Sequence, residues 1–117
     1  MGRLSTHVLD TMRGVPAYGV VVELHFIEHD RRRLLVRTET NADGRCNEPL
    51  LEGDKLQIGT YELVFHAGDY FARVGVTASE PRFVDIVVLR FGVAKPAENY
   101  HVPLLVTPWS WTTYRGS

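Results

Sequence analysis

The sequence predicts an all-β domain, a two-layer antiparallel sandwich of about eight strands with one short helix. Short segments alternate apolar and polar residues, turn residues separate those segments at short intervals, and a single segment carries helix signals. Strands alternating regularly with helices would instead indicate a βαβ fold. The 117 residues contain no linker, repeat or low-complexity tract, so residues 1–117 are predicted to form one domain.

The first part of the chain is predicted to form three strands. Residues 4–10, 20–27 and 34–39 alternate with a period of two, as expected of strands with one face in the core. A turn over residues 10–16 separates the first two strands. The basic run Arg31-Arg32-Arg33 lies between the next two and is interpreted as a solvated turn rather than a phosphate clamp.

A tight turn is predicted after the third strand, in the segment Asn41-Ala42-Asp43-Gly44-Arg45. Its Asp-Gly pair favours turn conformations with positive φ, which glycine adopts without steric cost. Arg45 is therefore predicted to be held just beyond a rigid turn.

The middle of the chain carries the helix signals. Residues 55–58 and 61–65 resume the period of two and are predicted strands. Asp69 is predicted to cap a short helix over residues 70–74, because an aspartate accepts hydrogen bonds from free backbone N–H groups at a helix start. Gly75 is a fitting residue just past the end of this helix.

The C-terminal part is rich in strand-forming residues. Residues 83–91 form a β-branched run, and two further strand-like runs, 101–106 and 109–114, are joined by Thr107-Pro108. Most domains fray at their ends into small polar residues. This end is therefore predicted to be buried.

Composition excludes several classes of protein. Hydrophobic residues make up 44% of the chain and charged residues 23%, which is typical of a globular protein. Thirteen basic and fourteen acidic residues give a net charge of -1, so no broad electropositive surface for nucleic acid is predicted. No apolar run approaches the roughly 18 residues of a membrane-spanning helix, so no membrane partner is expected.

The expected location is the cytoplasm. The start of the chain lacks the apolar segment of a secretory signal peptide. The single cysteine, Cys46, excludes an intrachain disulfide and fits a reducing compartment.

Familiar catalytic and cofactor motifs are missing from the sequence. It contains no Gly-x-Ser-x-Gly elbow, glycine-rich phosphate loop, Cys-x-x-Cys or His-Glu-x-x-His, so neither a cofactor nor a metal is predicted. His25 and His29 lie about two pleats apart, too far to share a metal, and are interpreted as surface residues. Cys46 without a local signature is weak evidence for a thiol nucleophile.

A smaller set of polar residues occupies positions that structure alone does not explain. The candidates are His7, Arg45, His101 and the terminal Tyr114-Arg115-Gly116-Ser117. They offer two imidazoles, two guanidinium groups, a phenol and a free carboxylate. From these residue types alone, the sequence indicates a polar pocket and no particular reaction.

Several segments carry a resemblance that covers essentially the whole chain. They are Leu4-Ser5-Thr6-His7-Val8-Leu9-Asp10-Thr11, Thr40-Asn41-Ala42-Asp43-Gly44-Arg45, Gly59-Thr60-Tyr61-Glu62-Leu63, Phe65-His66-Ala67-Gly68-Asp69-Tyr70-Phe71, and the end from Tyr100-His101-Val102-Pro103-Leu104-Leu105 to Tyr114-Arg115-Gly116-Ser117. Together they resemble the 5-hydroxyisourate hydrolase family, the transthyretin-related proteins. The terminal Tyr-Arg-Gly-Ser is the most specific part, because it separates these hydrolases from transthyretin, a hormone carrier.

The resemblance implies a transthyretin-like sandwich of two four-stranded sheets, assembled as a homotetramer, a dimer of dimers with active sites in the channel between dimers. It implies His7, Arg45 and His101 as catalytic residues, and Tyr114, Arg115, Gly116 and Ser117 as substrate-binding residues. Trp111 departs from the family pattern, where Tyr is commoner, and so does Thr107, where Ser is commoner.

The implied activity is hydrolysis of 5-hydroxyisourate to 2-oxo-4-hydroxy-4-carboxy-5-ureidoimidazoline in urate degradation, without a cofactor. A neutral imidazole suits removal of a proton from water near neutral pH, and the base is either His101 or His7. Arg45 is suited to stabilise the oxyanion that forms.

Two other functions remain open on the sequence. A transthyretin-like carrier would bind small aromatic ligands in the same channel without turnover, and a structural sandwich would be a monomer without any small-molecule response. The joint presence of the catalytic and terminal residues favours the enzyme, because a carrier needs none of them together.

Overall fold

The computed structural model describes residues 1–116 of the chain. This part contains nine strands, one α-helix and one 3-10 turn, joined by turns and loops. They are β1 (Arg3–Asp10), β2 (Val15–Pro16), β3 (Val21–Glu28), β4 (Arg31–Glu39), β5 (Leu51–Glu52), the 3-10 turn (Gly53–Lys55), β6 (Gly59–His66), α1 (Ala67–Arg73), β7 (Ile86–Val93), β8 (Tyr100–Val106) and β9 (Trp111–Thr113).

These strands form two sheets. The first has the order β2-β1-β8-β9, with β5 also paired to β1, and the second has the order β4-β3-β6-β7. The predicted all-β sandwich with one short helix is confirmed, with nine strands where about eight were predicted, because the short strand β5 adds a fifth strand to the first sheet. The strand pairs are antiparallel except that β1 and β8 run parallel, with Leu4 opposite Tyr100 and Asp10 opposite Val106.

The alternation predicted for the first strands sets which face is buried. In β1 the residues Leu4 and Val8 are fully buried, whereas Ser5 and His7 are partly exposed on the other face. Removing a leucine or valine side chain from water contributes about 1.5 to 3 kcal/mol. A register slip of one residue would exchange the two faces, so this burial also fixes where the polar side chains of β1 lie.

The arginine run was predicted to be a turn, and this prediction is wrong. Arg31, Arg32 and Arg33 begin β4, and the turn lies just before them at residues 29–30. The reversal is made by His29, which has a φ of 57°. The long arginine side chains stay in solvent while their backbone continues the ladder with β3.

The helix begins earlier than predicted. α1 starts at Ala67, so Asp69 lies inside its first turn instead of capping it, and its carboxylate accepts a hydrogen bond from Arg82 at 2.8 Å. An acidic residue in the first turn still interacts favourably with the helix dipole. The helix ends at Arg73, one residue before the predicted end, and Gly75 follows shortly after it with a φ of 96°, as predicted for a residue just past the helix. This seven-residue helix is too short to cross a membrane, and no other α-helix occurs in residues 1–116.

Two further segment predictions need correction. Residues 55–58 form no strand, because Lys55 ends the 3-10 turn and residues 56–58 are irregular. The predicted burial of the C-terminal end holds for most of β8 and fails beyond it. Trp109 is 62% exposed and Tyr114 is 60% exposed in the single chain. The turn between β8 and β9 is held by Thr107, whose Oγ1 accepts from the backbone N–H groups of Trp109 and Ser110.

The interpretation of His25 as a surface residue is also wrong. His25 and His66 lie on neighbouring strands, and their Nε2 atoms are 2.9 and 3.0 Å from the two oxygens of Glu23. The side chains of Glu23 and His25 are only 17% and 13% exposed. A hydrogen bond from His25, and to a smaller extent one from His66, lowers the pKa of the Glu23 carboxyl. His29 does lie at the surface, as predicted.

This cluster predicts a pH-dependent contribution to stability. Because the folded-state pKa of Glu23 is below 4.5, its contribution is present above that value and is lost as the pH falls through the lowered pKa. Glu23→Gln is therefore expected to unfold at lower urea than wild type near neutral pH, with the difference shrinking below pH 4.5. The control Glu28→Gln disrupts an exposed ion pair with Arg33 and is expected to change little. If the difference in urea stability between wild type and Glu23→Gln stayed constant down to pH 3, it would contradict this link between the Glu23 carboxylate and stability.

Candidate active site

The parallel pairing of β1 with β8 brings two histidines to one face of the first sheet. Ser5 lies opposite His101 in the register, and His7 lies opposite Pro103 one pleat further on. The ring centroids of His7 and His101 are 6.5 Å apart, and the ring planes make an angle of 43°. Both rings are partly buried. Two imidazoles from opposite ends of the sequence therefore share one site.

Arg45 reaches the same site through the tight turn predicted for residues 41–45. Arg45 forms an isolated antiparallel β-bridge with His7 of β1. Beside this bridge, the N–H of Val8 donates to the carbonyl of Gly44 at 2.8 Å. Gly44 has a φ of 76°, and a Cβ at this position would lie 2.4 Å from the carbonyl oxygen of Val8. Glycine is therefore required for the turn to pack against β1.

The ring orientation of His7 is set by a backbone carbonyl. Its Nε2 lies 2.8 Å from the carbonyl oxygen of Asp43. A carbonyl oxygen only accepts hydrogen bonds, so Nε2 carries the proton, and in the neutral ring Nδ1 holds the free lone pair. The turn thus fixes the tautomer of His7.

His101 has a different partner and a shifted pKa. Its Nδ1 is 2.9 Å from the hydroxyl oxygen of Ser5, a group that can either donate or accept. Burial lowers the pKa of His101 below 6.5, and the nearby positive charge of Arg45 and the neighbouring His7 lower it further. A lowered pKa keeps this imidazole neutral, and hence able to accept a proton, at neutral pH.

Of the predicted terminal site residues, Gly116 contacts His101, whereas Tyr114 and Arg115 lie elsewhere on the surface. The N–H of Gly116 donates to the carbonyl of His101 at 2.7 Å, and a Cβ on Gly116 would lie 2.8 Å from His101 Cδ2. Arg115 turns away, stacking its guanidinium 4.0 Å from the ring centroid of Tyr100 and donating to Glu98 at 3.1 Å. Tyr114 is exposed beside that arginine, and the predicted site residue Ser117 lies outside the described residues.

Of two cavities near these strands, only the polar one lies beside the histidine face, because Tyr100 and Val102, which line the apolar one, point to the other side of β8. A polar cavity of about 320 Å³ is lined by Ser5, Arg45 and Cys46, and an apolar one of about 500 Å³ is lined by Phe91, Trp111 and other residues of β7, β8 and β9. Burial raises the pKa of the Cys46 thiol, which makes it a poor nucleophile. Within residues 1–116 no group of three His, Cys, Asp or Glu side chains is arranged to hold a metal ion.

Three contributors to the site were not singled out from the sequence. Ser5 contacts His101 through the parallel register, a pairing between segments 96 positions apart that no local pattern reveals. The carbonyl of Asp43 is a backbone group, so its side chain gives no signal. Asn41 was visible as part of an Asn-x-Asp-Gly segment, in which asparagine side chains often bond to the backbone two residues on.

Comparisons with known proteins agree with this architecture. The model of the HIUase/Transthyretin family matches residues 4–116. The chain is 54% identical over 117 residues to a protein of Ralstonia nicotianae named 5-hydroxyisourate hydrolase, with 100% of both chains covered.

Two solved structures have a similar fold. The crystal structure of an (S)-allantoin synthase superposes with a TM-score of 0.94 at 44% identity, covering 99% of this chain and 44% of that one, so the chain spans less than half of that protein. Sea bream transthyretin in complex with thyroxine has a TM-score of 0.87 at 23% identity, covering 97% of this chain and 94% of that one, and shows the shared fold. On these matches the chain belongs to the HIUase/Transthyretin family.

Proposed function

We propose that this protein is a 5-hydroxyisourate hydrolase, which opens a ring of its substrate to give 2-oxo-4-hydroxy-4-carboxy-5-ureidoimidazoline. The observation that carries the proposal is the pair of imidazoles 6.5 Å apart on one sheet face, with Arg45 bridged to His7. The relative named 5-hydroxyisourate hydrolase, 54% identical over the full length, supports the choice of substrate.

The proposed base is His101. In the proposed arrangement His101 Nδ1–H donates to Ser5 Oγ, 2.9 Å away, which leaves Nε2 unprotonated, and the lowered pKa keeps the ring neutral where water must be activated. His7 then orients water or substrate through Nδ1, because its Nε2 is already committed to the carbonyl of Asp43. The proton passes from water to His101 Nε2 as the water oxygen bonds to the substrate carbonyl carbon and the C=O electron pair moves onto the carbonyl oxygen. The tetrahedral intermediate then collapses, the ring C–N bond breaks, and the leaving nitrogen takes the proton from His101.

Arg45 is proposed to stabilise the negative charge that develops on the substrate carbonyl oxygen. A guanidinium presents a planar set of N–H donors, which matches the carbonyls of a flat heterocycle. Tyr114, Arg115, Gly116 and Ser117 are proposed to complete substrate binding. Of these, Gly116 supports the proposal by its contact with His101.

A homotetramer, a dimer of dimers with sites in the channel between dimers, is proposed as the working assembly. β7 and β9 are unpaired edges of their sheets, and edge strands of this kind readily pair with another copy. Ile86, Val88 and Trp111 on these strands are more than 40% exposed, and the apolar cavity opens between them. Pairing with a second copy would cover these residues.

The test of the proposed function is the ultraviolet decay of 5-hydroxyisourate generated from urate by a urate oxidase. With the wild-type protein, the ultraviolet signal of 5-hydroxyisourate is expected to decay faster than it does spontaneously. The variant His29→Asn should keep this activity, because His29 is an exposed turn residue with a φ that asparagine adopts readily. A folded wild-type protein that leaves the decay at its spontaneous rate would contradict the proposal.

The apolar cavity favours a second candidate, a carrier of small aromatic ligands. Its lining includes Phe91, Tyr100 and Trp111, and the fold is shared with sea bream transthyretin, solved in complex with thyroxine. Calorimetric binding of an aromatic ligand by a protein without effect on 5-hydroxyisourate would favour the carrier.

A further inference from the structure

The turn over residues 41–45 contributes to two of the three proposed catalytic side chains. It carries Arg45, and through the carbonyl of Asp43 it holds the ring of His7. We infer that the side chain of Asn41 is a positioning residue that holds this turn in its productive shape. For its effect on rate the inference rests on the proposed function, and for its effect on the His7 ring it does not.

One amide oxygen organises the turn. Asn41 Oδ1 accepts from the backbone N–H of Asp43 at 2.9 Å and from that of Arg45 at 3.2 Å. These N–H groups lie on either side of Gly44, the residue whose positive φ makes the reversal. Asn41 Nδ2 in turn donates to Asn47 Oδ1 at 3.0 Å, which orients the amide.

The consequence for His7 follows from peptide geometry. The N–H of Asp43 belongs to the peptide unit preceding its Cα, and the carbonyl that accepts from His7 follows that Cα. That carbonyl shares its peptide unit with the N–H of Gly44, which donates to the backbone carbonyl of Asn41 at 2.9 Å. Asn41 Oδ1 holds the peptide units before and after it, at the N–H groups of Asp43 and Arg45, and so limits the backbone rotations on both sides that would swing the carbonyl away. If the carbonyl moved, His7 Nε2 would lose its acceptor, and the neutral ring would no longer be confined to one tautomer.

The consequence for Arg45 is similar. Its N–H is held by Asn41 Oδ1, while its carbonyl accepts from the backbone N–H of Asn41 at 2.7 Å. Both backbone groups of Arg45 are thus bonded to one residue. The side chain leaves from a Cα fixed on both sides, which limits where the guanidinium can lie.

Removing the Asn41 side chain should loosen the turn without unfolding it. The backbone bonds from Asn41 N–H to Arg45 and from Gly44 N–H to Asn41 do not depend on the side chain, nor does the bond from Val8 N–H to Gly44. Asn41 is only partly buried, so little apolar contact is lost. A catalytic group displaced by about 1 Å can cost about 10²-fold in rate.

The kinetic test compares three variants. Asn41→Ala removes the acceptor and is expected to lower kcat/KM for 5-hydroxyisourate by about 10- to 100-fold, mostly in kcat. Asn41→Asp keeps a carboxylate oxygen in place of the amide oxygen and should recover most of the activity. Its new negative charge should also move the acid limb of the pH profile upward, because it favours protonated histidine. Gln57→Ala, which removes an exposed amide from the irregular segment before β6, serves as the control.

The second measurement does not depend on turnover. Nitrogen chemical shifts of the His7 ring distinguish its tautomers, and wild type is expected to show Nε2–H alone in the neutral form. Asn41→Ala should show a mixture of tautomers, while Asn41→Asp and the control Gln57→Ala should resemble wild type.

The outcomes separate the two proposals. An inactive wild type with the expected tautomer shifts would overturn the hydrolase function and leave the positioning inference standing. An active wild type whose Asn41→Ala variant keeps both full kcat and a single His7 tautomer would overturn the inference alone. An equal loss of activity in Asn41→Ala and Asn41→Asp, with His7 unchanged in both, would also overturn it.

Discussion

Replacing His101 by alanine is expected to lower kcat/KM for 5-hydroxyisourate by about 10²- to 10⁴-fold, the usual contribution of a positioned general base. The ring is partly buried on β8, with its Nδ1 engaged by Ser5, so the free nitrogen is Nε2. Alanine leaves the backbone pairing of β8 with β1 intact, and the variant should therefore fold. Steady-state kinetics on the folded variant check the prediction.

The pH dependence of wild type tests the same assignment. His101 accepts a proton only when neutral, so kcat/KM should fall as the pH drops through its pKa. Burial, Arg45 and His7 all lower that pKa, so the acid limb should lie below pH 6.5. The control is His29→Asn, which should show the wild-type profile. Near wild-type kinetics in His101→Ala would exclude His101 as the base and leave the role to His7.

Much of the fold was accessible from the sequence because it depends on local patterns. The alternation in β1 correctly separated the core residues Leu4 and Val8 from the partly exposed His7. The Asp-Gly pair correctly indicated the turn before Arg45, since few residues other than glycine adopt its φ. These predictions needed no knowledge of which strands are neighbours.

The errors arose where contacts distant in sequence decide the outcome. His25 was taken for a surface residue because its own strand places Glu23 on the same face but does not show that His66 of β6 lies beside them. The early start of α1 is another case, because Asp69 bonds to Arg82 from a later segment and not to the helix amides.

The candidate site depends both on features that the sequence predicts and on contacts between residues distant in sequence. His7, Arg45 and His101 were predicted as a set by family resemblance, and the parallel register of β1 with β8 explains physically how two of them meet. No local pattern contains that register. For the same reason the Ser5 contact with His101 emerges only from the three-dimensional arrangement.

Replacing Arg45 by alanine is expected to lower kcat/KM by about 10²- to 10³-fold, the usual cost of removing a donor that stabilises a developing oxyanion. Arg45→Lys keeps the charge but loses the planar set of donors, and should recover only part of the rate. Arg31→Ala, a change at the exposed start of β4, is the control for loss of a positive charge and should behave like wild type.

The pH profile of Arg45→Ala gives a second, independent expectation. The positive charge of Arg45 is one of the causes that lower the pKa of His101, so its removal should raise that pKa toward 6.5. The acid limb of the residual activity should then move to higher pH, whereas Arg45→Lys, which keeps the charge, should leave the limb near its wild-type position. A large loss of rate without this displacement would mean that Arg45 acts on the substrate but not on His101. Wild-type kinetics in Arg45→Ala would remove Arg45 from the mechanism and leave the oxyanion to another donor.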